Sequence, residues 1–310
     1  MKTTRMRRLL VVLLVALASA AVPAAVAAYP PTTRSYYEHN ATPTTLYNQG
    51  CSAGEAGAHG VAVLDFGRPA YDGVHYGTVD FNGNFDTSDQ IRTAAESFAA
   101  GFWDCTPVGG PFLTIAIGTN NSCSGGDPHC AGARLQPASF GRAGTIWAYN
   151  VKALRDYIEA GFAPQEAAAA GDDMEPAWEP AYTRTRDFIA GYNGSTAPPE
   201  ALYDYGSAEP GYWTTADEYY VAYGAPYDFP LPEIYYSGQP PEWEEISLWG
   251  AANGASGAMY FPGVMSQYRT GYGCGFTPHE SYDRMLAALQ SHDATYQASL
   301  DYVTNIVCGT

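Results

Sequence analysis

The chain has 310 residues, of which 46% are hydrophobic, 14% aromatic and only 15% charged, a composition typical of a protein with a packed core and not of a disordered one. The formal charge is −17, and without residues 1–28 the chain carries 11 basic against 32 acidic side chains, a balance of −21. An excess of negative charge this large disfavours the phosphate backbone of nucleic acids, so we expect no nucleic-acid partner.

Residues 1–28 have the three parts of a secretory signal peptide. Four basic side chains come first, an apolar run over 9–17 follows, and small residues lead up to Ala28. The apolar run is short for a membrane-spanning helix, although an uncleaved anchor is the alternative. We therefore expect export, cleavage before Tyr29, a location outside the cell or at the cell wall, and no membrane span after cleavage. We expect a lead-in over 29–58 and a single barrel domain over 59–310.

From residue 60 to residue 261 the chain alternates short apolar runs with helical stretches, which predicts an α/β fold. We predict helices over 89–102, 145–160 and 181–192 and a last helical stretch over 280–306. Seven strands are visible, where eight would close a barrel. The predicted strands are 61–66, 112–118, 167–173, 201–205, 219–223, 233–236 and 258–261.

Polar residues gather at the ends of these strands. In a parallel barrel all strand ends open on one face, where active sites of this fold are built. An open doubly wound sheet would show the same alternation, but no glycine-rich phosphate turn follows a strand. We therefore predict a TIM-like (β/α)8 barrel, either regular or irregular, that is held by disulfides and acts as a monomer without a cofactor.

All six cysteines follow the predicted cleavage point, and export favours disulfides. Cys51 precedes the first predicted strand and Cys105 follows the first predicted helix, so both should lie at the same end of the sheet. The other predicted pairs are Cys123–Cys130, within one loop, and Cys274–Cys308. A metal site at His129 and Cys130 is the alternative, but no CxxC pair supports one, and we expect no metal.

Residues 167–178 are the most informative stretch, because small residues lead into three carboxylates, Asp172, Asp173 and Glu175. Strand alternation places Asp173 and Glu175 on one side of the strand and Asp172 on the other. Two close carboxylates share one proton, and Glu175 beside Trp178 is our choice for the protonated member. Such a pair is what glycosidic cleavage uses. In the competing reading, the aspartates only cap a helix or bind a turn.

Asp65, at the end of the first predicted strand, supplies a third candidate catalytic carboxylate from across the barrel. Glu209 and Glu233 are the substitutes if one of these acids lacks its partner. Aromatic rings suit the C–H faces of sugars, although many of the 25 tyrosines can equally pack in the barrel wall. The predicted substrate-binding residues are Asp172, Trp178, Tyr205, Tyr235, Tyr236 and Trp243, and Tyr203, Trp213 and Tyr260 are expected at the same face.

Three segments together resemble the family-25 lysozyme-type glycoside hydrolases: the strand ending in Asp65, the Asp173-Met174-Glu175 step and the tyrosine-rich residues 219–223. The chain is more similar still to glycoside-hydrolase-like barrels secreted by high-GC Gram-positive bacteria. The resemblance implies that Asp65, Asp173 and Glu175 form the site, with Glu175 as proton donor. The sequence departs from the lysozyme-type pattern after Asp65 and by carrying the extra Asp172.

The first reading is therefore a secreted glycoside hydrolase that acts on a cell-wall or environmental polysaccharide, peptidoglycan included. The second is a non-catalytic glycan-binding or cell-wall-associated protein with a hydrolase-like barrel, in which the acids bind hydroxyl groups. A third, a disulfide-stabilised structural wall protein, predicts no cleft.

Overall fold

The computed structural model describes residues 29–121, 138–161, 163–195 and 200–308. The strands are β1 (Thr32–Tyr37), β2 (Gly60–Asp65), β3 (Arg68–Tyr71), β4 (Tyr76–Val79), β5 (Phe85–Thr87), β6 (Leu113–Asn120), β7 (Glu166–Asp173), β8 (Leu202–Asp204), β9 (Asp228–Pro230), β10 (Gly263–Ser266) and β11 (Tyr302–Ile306). Eight of them form one sheet of parallel neighbours, in the order β10-β11-β1-β2-β6-β7-β8-β9.

The two outer strands of that order are joined by the chain that follows β9. The Ile234 N–H donates to the Met265 carbonyl over 2.9 Å, and the Met265 N–H donates to the Pro232 carbonyl over 2.9 Å. The sheet thus closes on itself, and the predicted TIM-like barrel is confirmed. The strands β3, β4 and β5 form a separate antiparallel sheet that is inserted between β2 and the helix that follows.

The helices are α1 (Pro43–Glu55), α2 (Ser88–Cys105), α3 (Phe140–Ala160), α4 (Thr183–Asn193), α5 (Thr215–Tyr219), α6 (Gln239–Asn253) and α7 (Pro278–Leu289), with a 3₁₀ turn at Pro176–Trp178 and a π-helical turn at Tyr220–Gly224. The start of α2 is set by a capping box, in which Thr87 and Gln90 each accept from the other's backbone N–H. Buried apolar residues at helical spacing, such as Ile91 and Phe98, hold this helix against the sheet.

The first two helices pack unusually closely. A Cβ atom at Gly50 of α1 would lie 2.0 Å from the Phe98 carbonyl oxygen, so only glycine permits this approach. The Cys51–Cys105 disulfide joins the same two helices, with 4.9 Å between the Cα atoms. The predicted pair Cys274–Cys308 is also formed. The third predicted pair, Cys123–Cys130, lies outside the described residues, and no described cysteine is free.

Several predicted elements were wrong. Residues 219–223, predicted as a strand, belong to α5 and the π-helical turn, because the Thr214 side chain caps a helix by accepting from the Asp217 N–H. Residues 258–261 only lead into β10, and the stretch 280–306 divides into α7 and β11. Residues 29–58, expected to precede the barrel, contain β1 and α1, and β1 lies between β11 and β2 in the sheet.

Alternation along the strands separates the barrel interior from the helix-facing layer. Val61, Val63, Ala116 and Ala169 pack in the interior cluster, whereas their neighbours along β2, β6 and β7 pack against the helices. Asp65 and Asp173 continue the interior-facing series. Within the part of the chain that the structure describes, no helix combines the length and apolar character needed to span a bilayer.

Candidate active site

Three carboxylates meet at the face where the parallel strands end. Asp173 is the last residue of β7, Glu175 follows two positions later, and Glu233 follows β9. One side-chain oxygen from each lies within 4.8 Å of those of the other two. Asp173 and Glu233 are buried, and Glu175 is half-buried, so Glu175 is the member that solvent reaches. The structure therefore brings together the two acids paired in the sequence analysis and adds one of the two substitutes.

Burial raises the pKa of Glu175 to about 8, because desolvation disfavours its charged form. The neighbouring carboxylate of Glu209 raises the pKa further, and a hydrogen bond from Ser207 opposes the shift. Glu209 is itself held by the Ala177 N–H, which donates to Glu209 Oε2 over 2.7 Å. Glu175 thus keeps its proton near neutral pH, as a general acid must.

The pKa values of Asp173 and Glu233 are also raised well above their usual range, first by burial and then by neighbouring carboxylates. Their hydrogen bonds differ. The Tyr235 hydroxyl donates to Glu233 Oε1, which favours the charged form of Glu233. Asp173 Oδ1 is buried and accepts no hydrogen bond among the described residues. The trio therefore offers one accessible acid and two buried carboxylates whose charged forms are stabilised to different degrees.

Asp65 lies deeper than the trio. It is fully buried at the end of β2, where its Oδ1 accepts from the Gly67 N–H over 2.8 Å, and burial raises its pKa to about 7. In the sheet Asp65 is level with Gly118 and Gly171, two residues below Asp173. Asp65 therefore lies beneath the trio and raises the pKa values of both Asp173 and Glu233 through its charge.

Asp172 lies on the opposite side of β7, as alternation predicted, because its neighbour Ala170 packs in the helix-facing cluster. It pairs in register with Asp204 of β8, and both are buried. The expected role of Asp172 in substrate binding does not fit this position, since the backbone of β7 separates its carboxylate from the barrel interior.

The predicted aromatic platforms fall into two groups. Trp178 is half-buried beside Glu175, Tyr235 is half-buried against Glu233, and Tyr236 is 56% exposed near Glu175 and Glu209. These three can contact a ligand at the mouth of the barrel.

The remaining aromatic predictions do not fit a ligand site. Tyr205 is fully buried above Gly118 and Gly171, whose missing side chains make room for its ring, and its hydroxyl donates to the Thr119 carbonyl over 2.7 Å. Trp243 of α6 is 1% exposed and packs edge-on against Phe261 on the helix side of the barrel.

Three further aromatic residues were expected at the same face. Tyr203 and Trp213 are buried in hydrophobic clusters. Tyr260 precedes β10 and bonds to Asp301, which precedes β11, so it lies at the amino-terminal end of the barrel. Tyr203 and Trp213 therefore serve the packing of the wall, whereas Tyr260 is exposed away from the barrel mouth.

Sequence reasoning missed two residues at this mouth, Tyr37 and its hydrogen-bond partner Gln267. Tyr37, the last residue of β1, accepts a hydrogen bond from Gln267 Nε2 over 3.0 Å. Burial raises the pKa of its hydroxyl well above the usual value, and the charges of Glu233, Asp173 and Asp65 raise it further. Its ring packs edge-on against Phe81, in the turn between β4 and β5 of the inserted sheet, with 4.9 Å between the ring centres. Thr33, Ser35 and Tyr37 occupy every second position of β1. This strand-like spacing could have predicted β1 and, with it, Tyr37 at the strand end.

This arrangement can donate a proton from Glu175 to a bound leaving group while a second carboxylate lies within reach of the same reacting atom. Oxygens of the trio would also suit a hard divalent cation, since Ca²⁺ and Mg²⁺ prefer carboxylate ligands. The second cluster with metal-ligand spacing, Cys51, Glu55 and Cys105, has both of its sulfurs in the disulfide and does not offer thiolates.

No protein-family model matches the chain, and no curated protein matches it. Among solved structures, the chain is similar to a GH18 chitinase from Pseudoalteromonas aurantia at 14% identity and a TM-score of 0.43, covering 89% of this chain and 94% of the chitinase. It is similar to an endo-β-1,4-mannanase from Thermotoga petrophila at 12% identity and a TM-score of 0.48. That match covers 89% of this chain and 67% of the mannanase. It is also similar to the homocysteine methyltransferase MmuM from Escherichia coli at 10% identity and a TM-score of 0.48. That match covers 90% of this chain and 92% of the methyltransferase.

These three proteins are named for different chemistries, and likeness at this level decides nothing about the reaction. The assignment of the barrel rests on its strand order, and the case for a function rests on the carboxylates at its mouth.

Proposed function

We propose that this chain is an exported glycoside hydrolase that cleaves a cell-wall or environmental polysaccharide, with Glu175 as the proton donor. The observation that carries the proposal is the trio at the barrel mouth: three carboxylate oxygens within 4.8 Å, of which one belongs to a half-buried glutamate with a pKa of about 8. A retaining glycosidase holds its two carboxyl groups roughly 5–5.5 Å apart. The spacing therefore favours retention.

In the proposed reaction, Glu175 protonates the glycosidic oxygen as the bond to the anomeric carbon breaks. Asp173, in its charged form, attacks that carbon from the opposite side and forms a glycosyl ester. Glu175, now charged, then takes a proton from water, and the resulting hydroxide displaces Asp173. Glu233, oriented by Tyr235, stabilises positive charge at the sugar ring in the transition state.

The location outside the cell belongs to the same proposal. Disulfides such as Cys51–Cys105 and Cys274–Cys308 persist in oxidising compartments, and residues 1–28 read as an export signal. Trp178 and Tyr236 at the mouth are suited to stack on sugar rings.

The decisive test is release of reducing sugar from a panel of bacterial wall and plant polysaccharides by the chain from Tyr29 onward, with Glu175→Gln as the matched variant. Cleavage by the parent and its loss in Glu175→Gln would support the proposal. Activity that survives treatment with EDTA would support chemistry without a metal, and loss of activity on EDTA would overturn that part.

Rescue of alanine variants by azide shows which of the two buried acids, Asp173 or Glu233, is the nucleophile. If Asp173 is the nucleophile, Asp173→Ala with azide and an activated aryl glycoside gives a glycosyl azide of inverted configuration, whereas Glu233→Ala does not. The reverse result would transfer the role to Glu233. Binding of a glycan with no cleavage, unchanged by Glu175→Gln, would overturn catalysis and leave a glycan-binding protein.

A further inference from the structure

An exposed phenylalanine lies beside the barrel mouth, where β1 ends. Phe81 occupies the turn between β4 and β5, and its side chain is 40% exposed. The other residues of this turn, 80 and 82–84, are an aspartate, two asparagines and a glycine. Phe81 is therefore the one apolar side chain of a polar turn, and much of its ring is open to solvent.

The turn is held in a fixed position by hydrogen bonds. Within it, Asp80 Oδ1 accepts from the Asn82 backbone N–H over 2.9 Å. Asn82 Nδ2 donates to the His39 carbonyl over 2.9 Å. The Phe81 N–H donates to the Glu38 carbonyl over 3.4 Å. The last two bonds join the turn to the residues that follow β1. The Phe81 ring is thus positioned before a ligand arrives, which lowers the entropic cost of binding to it.

The Phe81 ring is continued towards the barrel axis by the ring of Tyr37. The two ring centres are 4.9 Å apart. Tyr37 pairs in register with Asp65, and its side chain packs with the interior cluster. Burial raises the pKa of the Tyr37 hydroxyl, and the charges of Glu233 and Asp173 raise it further, because the hydroxyl lies near the trio. The two rings therefore form a continuous aromatic surface from solvent to the trio, which we call the Phe81–Tyr37 wall.

This wall lies across the mouth from the aromatic residues described above. In the closed sheet, β8 is the fourth strand from β1 in both directions, so the two strands face each other across the barrel. Trp178 follows β7, and Tyr236 lies near Glu175 and Glu209, which follow β7 and β8. The trio is therefore flanked by exposed aromatic rings on two opposite sides.

We propose that Phe81 is a binding platform for one sugar ring of a glycan that crosses the barrel mouth and is cleaved at an internal bond. This inference rests on the proposed function. The C–H faces of sugars suit an exposed aromatic ring. A chain that contacts both Phe81 and Tyr236 passes over the trio, so sugar units lie on both sides of the bond that Glu175 protonates. The substrate is therefore a polysaccharide attacked within its chain and not at a terminal sugar.

The first measurement is binding to the Glu175→Gln variant, in which turnover does not interfere. Calorimetry is carried out with cello-, chito- and manno-oligosaccharides of two to six units. Adding Phe81→Ala should weaken binding of the tightest hexasaccharide about tenfold, because the stacked ring is lost. Val74→Ala is the matched control, since Val74 is 74% exposed in the turn at the other end of β4. It should leave the affinity unchanged.

Two further variants separate a sugar platform from a side chain that only covers Tyr37. Phe81→Leu keeps an apolar contact with Tyr37 but has no ring, so it should weaken hexasaccharide binding about fivefold. Phe81→Trp keeps a ring and should retain the affinity. Both variants preserve an apolar side chain, so they keep the test decisive if Phe81→Ala does not fold. Equal affinity of the leucine, alanine and parent proteins would overturn the platform, as would no binding of any oligosaccharide.

The second measurement follows the first products that the active chain releases from glycol chitin, carboxymethyl cellulose, mannan and peptidoglycan. We expect oligosaccharides of several lengths, and Phe81→Ala should raise KM about tenfold with little change in kcat, because ground-state binding is lost. Release of single terminal sugars would overturn cleavage within the chain. Binding that depends on Phe81, without cleavage of any polysaccharide, would overturn the proposed hydrolase and retain the platform. Cleavage with an unchanged KM in Phe81→Ala would overturn the platform alone.

Discussion

The Ser207 hydroxyl donates a 2.6 Å hydrogen bond to Oε2 of Glu175, from the turn after β8 to the segment after β7. This bond favours the charged form of Glu175 and so limits how far burial raises the pKa of that carboxyl. Ser207 therefore adjusts the proton affinity of the proposed acid.

Ser207→Ala should raise the pKa of Glu175 above its value of about 8, because the opposing hydrogen bond is lost. A general acid works while it is protonated, so the alkaline limb of the pH–rate profile should move to higher pH. The profile of kcat/KM on a cleaved glycan measures the shift, and the exposed Ser237→Ala is the control. A limb at the same pH in both variants would contradict the link between Ser207 and Glu175.

Glu209→Gln should act in the opposite direction. Among the neighbouring charges, that of Glu209 raises the pKa of Glu175 most, so its neutral analogue should lower that pKa and move the alkaline limb to lower pH. Asp173→Asn should shift the limb the same way and also lower the rate. An alkaline limb that does not respond to Glu209→Gln would show that the limb reports another group.

Glu175→Gln preserves shape but cannot donate a proton. Turnover on a cleaved polysaccharide should fall by about 10²–10⁴-fold while glycan binding persists. The melting temperature should not fall at pH 8.5, because Glu175 is mostly charged above its pKa of about 8 and glutamine removes the cost of partly burying that charge. Wild-type turnover by Glu175→Gln would make another carboxylate the acid, with Glu209 or Glu233 next.

The buried acids predict how stability depends on pH. Asp65 has a pKa of about 7 in the fold, above its ordinary 3.8, so the native state binds this proton more tightly than the unfolded chain. The contribution to stability is therefore lost as pH rises from about 4 to about 7. Asp65→Asn keeps the acceptor for the Gly67 N–H but cannot ionise. It should raise the melting temperature by roughly 5 °C at pH 8.5 and leave it unchanged near pH 4.

The control for Asp65→Asn is Asp293→Asn, which changes an exposed acid. Scanning calorimetry at the two pH values measures both variants. An Asp65→Asn effect of equal size at both pH values would show that packing, and not ionisation, is responsible.

The disulfide between α1 and α2 gives a prediction about stability and thiols. Replacing Cys51 and Cys105 together by alanine should cost about 2–4 kcal/mol of unfolding free energy, because the bond closes a loop with a sequence separation of 54. Urea denaturation measures this cost. The chain with all its cysteines should titrate with no reactive thiol when denatured, and two reactive thiols would argue against the Cys123–Cys130 pair.

The strands that sequence predicted well were those with strong periodic signals. In β2 and β7 the apolar runs end in carboxylates, so both the strand and its functional end could be read. Residues 219–223 were wrongly predicted as a strand because tyrosine favours strands. Tyr219 instead ends α5 and packs against Trp249 and Gly250 near the carboxyl-terminal end of α6. The Thr214 cap was the overlooked sign of a helix.

The site was only partly predictable for a related reason. Asp173 and Glu175 are neighbours in sequence, so their pairing follows from local geometry. Glu233 and Tyr37 reach the same mouth only through closure of the barrel, which depends on strands that the pattern did not reveal. Burial of Tyr205 and Trp243 likewise reflects their tertiary neighbours, and composition alone does not distinguish a wall tyrosine from a ligand platform.

The position of β1 has a consequence for how this molecule folds. Thr32 pairs with Val303 and Ser35 with Ile306, so the first strand of the barrel cannot find one of its neighbours until nearly the whole chain is available. Contacts of this sequence separation raise the relative contact order and slow the search for the native state. Until β11 pairs with them, β1 and β10 each present an unpaired edge, to which another copy of the chain can add a strand. Refolding should therefore be slow, and its yield should fall as the protein concentration rises.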